Sequence, residues 1–193
     1  MDIPNLISFS ADGLPTSLQS LRIYDCENLE FLSPEPWHKY TSLKYLAIYK
    51  SCHSLASLQL DDFSSLHNLE IFECPNMEAI TTQGGTNALK LTHLQVGNCK
   101  KLRSIPEQIH LPSLQWLWLS MLPELTSLPP MCLPPSLQTL EVGMLSSMSK
   151  HELGFLFQCL TSLFHLSITG FGEEDVVNTL LKELLTADFP AIS

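Results

Sequence analysis

His151-Glu152-Leu153-Gly154-Phe155 begins like the helical zinc-protease motif, in which two histidines one turn apart hold the metal and the glutamate acts as base. Phe155 stands where the second histidine is required, so that site cannot form. Gly170-Phe171-Gly172 lacks the third glycine of a dinucleotide loop, and neither a G-x-x-x-x-G-K-[ST] phosphate loop nor a G-x-S-x-G nucleophile elbow occurs. The seven histidines are scattered over loop-type and surface-type positions. No catalytic, cofactor-binding or metal-binding residue emerges, and the sequence reads as a non-enzyme. Six cysteines remain to be explained, and their meaning depends on the frame that positions them.

That frame is clearest in residues 114–129, LQWLWLSMLPELTSLP, with apolar side chains at Leu114, Leu117, Leu119, Leu122, Leu125 and Leu128. Neither a helical period nor strict alternation produces L-x-x-L-x-L-x-x-L-x-x-L-x-x-L. One coil of a solenoid does. With its first leucine as origin, the frame recurs at Leu18, Leu43, Leu66, Leu91, Leu137 and Leu163, with spacings of 25, 23, 25, 23, 23 and 26 residues across the whole set. This is a leucine-rich repeat. The expected fold is an α/β right-handed solenoid of about seven coils, with a parallel sheet on the concave face, a mostly irregular convex side and a C-terminal helix. A single coil buries about six apolar side chains, worth roughly 9 to 18 kcal/mol, against a backbone entropy cost on the order of 24 to 48 kcal/mol. Coils must therefore stack to fold.

Residues 1–193 read as one repeat domain: a partial coil over 1–13, repeats over 14–172, a helix over 173–186 and a tail over 187–193. Ile3, Leu6 and Phe9 fit the last apolar positions of a coil, so the chain opens in mid-repeat and is expected to be a truncated product or a fragment of a longer protein. The second coil carries one extra residue near Lys50 or Ser51, which should bulge where the strand leaves the sheet. Gln83 to Asn87 reads as a loop, and residues 147–160 as a short helix that Ser149 and Glu152 would cap. Prolines at Pro15, Pro112 and Pro134-Pro135 precede strands, where a fixed φ ends one segment and launches the next.

Within the frame, Cys26, Cys74 and Cys99 all stand eight residues after the origin, and Cys52 nine after. They read as a buried column of reduced thiols rather than as metal ligands or disulfides. No Asn-x-Ser/Thr site, secretory leader or long uninterrupted apolar run is present, which points to a reducing, cytoplasmic setting. The net charge of −10 disfavours nucleic acid, and nothing suggests a membrane. Residues 1–80 hold 11 acids and 4 bases, so a charge-driven partner of that half should be basic.

Residues three and five after each origin point inward, so those two, four and six after it face out on the sheet. These columns carry two aromatic groups, Tyr24/Tyr45/Tyr49/Phe72 and Trp116/Trp118, with Arg22, Glu70 and His93 among them. Aromatics on a rigid sheet are the residue types of interface hot spots, and this face is the expected protein-binding site. Outward tryptophans should gain nothing from burial unless a partner covers them.

The segments LPTSLQSLRIYDCENLEFL (14–32), LHNLEIFECPNMEAI (66–80) and LTHLQVGNCKKLRSIP (91–106) resemble the repeats of plant intracellular disease-resistance proteins of the coiled-coil, nucleotide-binding, leucine-rich-repeat class. The resemblance implies a role in innate immunity. The repeat domain would hold a nucleotide-binding switch domain inactive, recognise a pathogen effector, or both. The coiled-coil and nucleotide-binding domains of that class are not in this sequence, and the cysteine position becomes Leu122, Leu145 and Phe171 in later coils. The alternative is a substrate-adaptor repeat protein of a ubiquitin ligase, which also uses a cysteine here but has regular convex helices.

Overall fold

The computed structural model describes residues 7–8, 13–30, 37–82, 89–105, 111–125, 134, 136–144 and 162–170. Each five-residue strand begins two residues after an origin leucine: β1 (Ser20–Tyr24), β2 (Tyr45–Tyr49), β4 (Asn68–Phe72), β6 (His93–Gly97), β7 (Trp116–Ser120), β8 (Thr139–Gly143) and β9 (His165–Thr169). These seven pair in parallel in that order. The short strands β3 (Ser57–Gln59) and β5 (Ala79–Thr81) form a second parallel pair on the return path.

The register is set by the leucine frame. Leu21, Leu46, Leu69, Leu94, Leu117, Leu140 and Leu166 are successive partners, as are Ile23, Ile48, Ile71, Val96, Leu119, Val142 and Ile168. Both rows point inward, and from β2 to β8 every member is buried. A one-residue slip would turn them all into solvent, so burial locks the pairing.

The residue after each strand adopts a left-handed conformation: Asp25, Lys50, Glu73, Asn98, Met121, Met144 and Gly170 have φ of 52°, 45°, 53°, 51°, 55°, 51° and 73°. Only one is glycine, although this region strains other residues. The compensation is a further rung of ladder. The N–H of Asp25 donates to Tyr49 O at 3.1 Å, that of Lys50 to Phe72 O at 2.9 Å, and those of Glu73, Asn98, Met121 and Met144 to the next coil in the same way.

The cysteines then perform two tasks. Their thiols point back to the carbonyl two residues earlier, Cys26 Sγ to Tyr24 O at 3.2 Å and Cys99 Sγ to Gly97 O at 3.4 Å. Their own carbonyls open a turn that accepts the N–H three residues on, as in Leu29 to Cys26 and Leu102 to Cys99. The inserted residue of the second coil divides these tasks. Ser51 takes the side-chain role, donating from Oγ to Tyr49 O at 2.6 Å and accepting from Cys26 N at 2.9 Å, while Cys52 opens the turn to Leu55. Cys52 absorbs the extra residue with a φ of 54°. The expected bulge is thus a second left-handed residue, two positions after Lys50, rather than a break in the sheet.

Ser51→Ala is expected to cost about 1 to 2 kcal/mol, because it strands the buried Cys26 N–H. Ser51→Cys should recover part of the loss, since a thiol fills the same place in neighbouring coils; equal denaturation midpoints for the two variants would disprove the role.

Cys26, Cys52, Cys74 and Cys99 are buried thiols outside any disulfide. Burial pushes the Cys52 thiol up to about 12, and a hydrogen bond with Cys99, with burial adding to it, raises that of Cys74 well above the ordinary range. Thiolate is the reactive form. The same Cys74–Cys99 hydrogen bond lowers the pKa of Cys99, so its protection rests on burial. Since all four are buried, labelling of the native protein at neutral pH is expected to leave them unmodified, whereas rapid reaction in the folded state would show the column to be accessible.

On the return path Trp37, Tyr40 and Phe63 extend the core. Trp37 lies 5.4 Å from Tyr40 and 5.7 Å from Phe63 between ring centroids. Tyr40 and Phe63 stand three residues before an origin and accept its N–H, a turn that Pro15, Leu111 and Pro134 also make. That repeated turn explains the proline signals before the strands. Among the described residues, return segments contain two three-residue 3-10 turns, Trp37–Lys39 and Leu60–Asp62, the β3/β5 pair and a single parallel bridge from Ala79 to Ser104. The expected helices over 147–160 and 173–186 lie outside the described residues, as do parts of the later return segments on which a count of seven coils depends.

A candidate protein-binding face

All nine residues singled out in the sequence lie at the first, third or fifth position of their strands, on the face of the sheet opposite the leucine rows. Tyr24 and Arg22 are exposed, and Tyr45, Tyr49, Glu70, Phe72, His93, Trp116 and Trp118 are half-buried. Not every outward position stays open. Ala47, Gly97, Ser120 and Gly143 are buried.

The structure joins the two aromatic groups into one. Tyr24 stacks on Tyr49 at 4.9 Å and Tyr49 on Phe72 at 4.8 Å, as equivalent positions of neighbouring strands must when side chains of this size are about 4.8 Å apart. The next residue in the row is Gly97. A Cβ there would come within 2.6 Å of Trp118 and 2.9 Å of Phe72, so its absence lets the indole lean across the strand to 5.2 Å from the Phe72 ring. The signal was present in the sequence as a glycine between two aromatics, but its effect depends on Trp118 belonging to a different column.

The polar residues are tied into this surface. Tyr49 Oη donates to Glu70 Oε2 at 2.5 Å, and Trp116 Nε1 donates to Glu141 Oε1 at 3.1 Å. The guanidinium carbon of Arg22 lies 4.6 Å from the centre of the Tyr45 ring. Burial, reinforced by Glu70, raises the phenol pKa values of Tyr45 and Tyr49, with Arg22 partly opposing the effect at Tyr45. His93 packs edge-on against Trp116 at 5.5 Å, and burial lowers its pKa, favouring the neutral imidazole.

These contacts correct one expectation. The outward aromatics do gain from burial without a partner, because each already covers its neighbour, and offset stacking contributes about 0.5 to 1.5 kcal/mol per pair. The face is a preformed plate of rings fixed by carboxylates, with little freedom to lose when something binds. Its chemistry is that of contact. Among the described residues no group of His, Cys, Asp or Glu could hold a metal, and no helix is long and apolar enough to cross a membrane.

No protein-family model matches the chain. It is similar to two Arabidopsis thaliana proteins, named "Putative disease resistance protein At3g14460" and "Putative disease resistance RPP13-like protein 1". Identity to the first is 32% over 132 residues, covering 54% of this chain and 9% of that protein. Identity to the second is 33% over 106 residues, covering 51% and 10%. The curated homologues of this repeat solenoid are thus plant disease resistance proteins, and the chain spans about a tenth of their length.

Proposed function

We propose that this solenoid is a protein-interaction module of a plant immune receptor, acting in the cytoplasm by recognising an effector, restraining a nucleotide-binding switch, or both. The observation that carries this reading is the fixed aromatic row Tyr24–Tyr49–Phe72–Trp118 on the open face of the sheet. Rigid rings with polar tips offer contact area at small entropic cost, which is the character of binding hot spots. Similarity to disease resistance proteins supports the receptor setting, and four buried thiols outside any disulfide suit a reducing compartment. The irregular return path among the described residues weighs against the ubiquitin-ligase adaptor alternative, whose repeats have regular convex helices.

Replacing Trp116 and Trp118 by Ala in a receptor carrying this segment tests the reading. The expected result is altered resting activity or altered response to the effector, with partner binding weakened by about 2 kcal/mol or more. The fold should survive with a stability loss of about 1 to 2 kcal/mol, since two ring contacts disappear. A folded variant with both activities unchanged would show that binding occurs elsewhere.

A further inference from the structure

The protein-binding reading leaves the chemistry of the bound surface open, and the inference here rests on that reading. Four residues stand side by side in register on β4, β6, β7 and β8: Glu70, Gln95, Trp118 and Glu141. At ordinary strand spacing the two glutamates are about 14 Å apart along the sheet. Between and beside them lie Phe72, Trp118 and Trp116. Glu141 is oriented by Trp116 Nε1, and Glu70 by Tyr49 Oη with the Tyr45 phenol also hydrogen-bonded to it. An ionised carboxylate accepts several hydrogen bonds, so both retain capacity for a partner.

The other end of the face shows what this combination accommodates. Arg22 lays its guanidinium over Tyr45, in the environment that Glu70 also shares. Beyond β2 the sheet offers rings and carboxylates without a cation of its own, since no Lys or Arg occupies an outward position of β4, β6, β7, β8 or β9. His93 adds none at neutral pH, because burial favours its uncharged form. The chain carries −10, with 11 acids and 4 bases in residues 1–80 but 4 acids and 5 bases in residues 81–172. The long-range attraction for a basic surface therefore comes from the Glu70 side of this site, while at Trp116 and Trp118 the local carboxylate Glu141 must supply it.

We propose that the Trp116–Trp118 half of the face docks a basic protein segment, an arginine of which lies on the indoles between Glu70 and Glu141. Guanidinium suits the site better than ammonium because it stacks flat on a ring while its edge donates to carboxylate.

The test is a titration of the intact chain with a short acetylated and amidated peptide alternating Arg and Ser, followed by NMR at the Trp116 indole N–H. Parallel titrations use the same peptide with Gln, or with Glu, in place of Arg. The arginine peptide is expected to shift the indole resonance and to bind more weakly as salt rises. The Gln and Glu peptides should leave it unmoved. Glu70→Gln with Glu141→Gln keeps the shape of the face and should weaken the arginine peptide about tenfold or more. Equal binding of the Gln peptide, preference for the Glu peptide, indifference to the double substitution, or no shift at millimolar arginine peptide would each overturn the proposal. If the tryptophan substitutions alter receptor activity while the peptides bind alike, the protein-binding face stands and its basic occupant fails.

Discussion

Leu94→Ala is expected to lower stability by about 3 to 5 kcal/mol. Leu94 is 1% exposed and sits in the centre of the inward leucine row, with Leu69 and Leu117 as its partners on either side. Neighbouring backbones are locked by parallel ladders on both sides, so they cannot close over the cavity. In a stacked array this loss weakens two coil interfaces at once. Urea denaturation should show a large fall in midpoint. It should also become less cooperative, as the coils on either side of β6 begin to melt separately. Because β6 joins Phe72 to Trp118 through Gly97, partner binding should fail at denaturant concentrations that leave most strand signal intact. A loss below about 1 kcal/mol would mean that Leu94 is not a core residue.

Gly97→Val is expected to divide the aromatic face while leaving the sheet in place. Its Cβ alone would approach Trp118 to 2.6 Å and Phe72 to 2.9 Å, and the branched methyls would come closer still. Valine itself suits a strand, so the strain falls on the rings rather than on the backbone. Trp118 must swing away, with a stability cost of about 1 to 3 kcal/mol from overpacking. Binding should weaken by a similar amount, because the row can no longer act as one surface. The double variant Gly97→Val with Trp118→Ser removes the closer of the two clashes and leaves Phe72 room to tilt into the space of the missing indole. It should regain part of the stability without regaining binding, a combination that separates the two roles of the position. If Gly97→Val binds its partner normally, the continuity of the row has no functional value.

Strand register was legible from the sequence alone, because leucine and isoleucine at fixed offsets leave one pairing that buries both rows. The outward columns followed by alternation. Their exposure did not, since it depends on the size of side chains in adjacent strands: Ala47 and Ser120 are buried although they point outward. The link across Gly97 escaped notice for the same reason. The left-handed residue after each strand was hidden because Asp25, Lys50, Glu73, Asn98, Met121 and Met144 share no turn-forming type; only the stacked ladder imposes the conformation. Ser51 could not be recognised as a stand-in for a cysteine thiol until the two tasks of that thiol were seen to be separable.

The left-handed column also restricts how such a surface can be rewritten. A residue held at positive φ cannot be β-branched without severe strain, and none of the seven here is. The rim where strands leave the sheet is therefore spelled in a reduced alphabet. The positions two and four residues after each origin accept varied side chains, within the room that the adjacent strands leave, as the buried Ala47 shows. New specificity can arise there one letter at a time, without disturbing a turn. Lengthening a coil is harder, because an inserted residue at the rim must bring its own left-handed neighbour, as the second coil does with Cys52. In this architecture, diversity is cheap across the face and constrained along its edge.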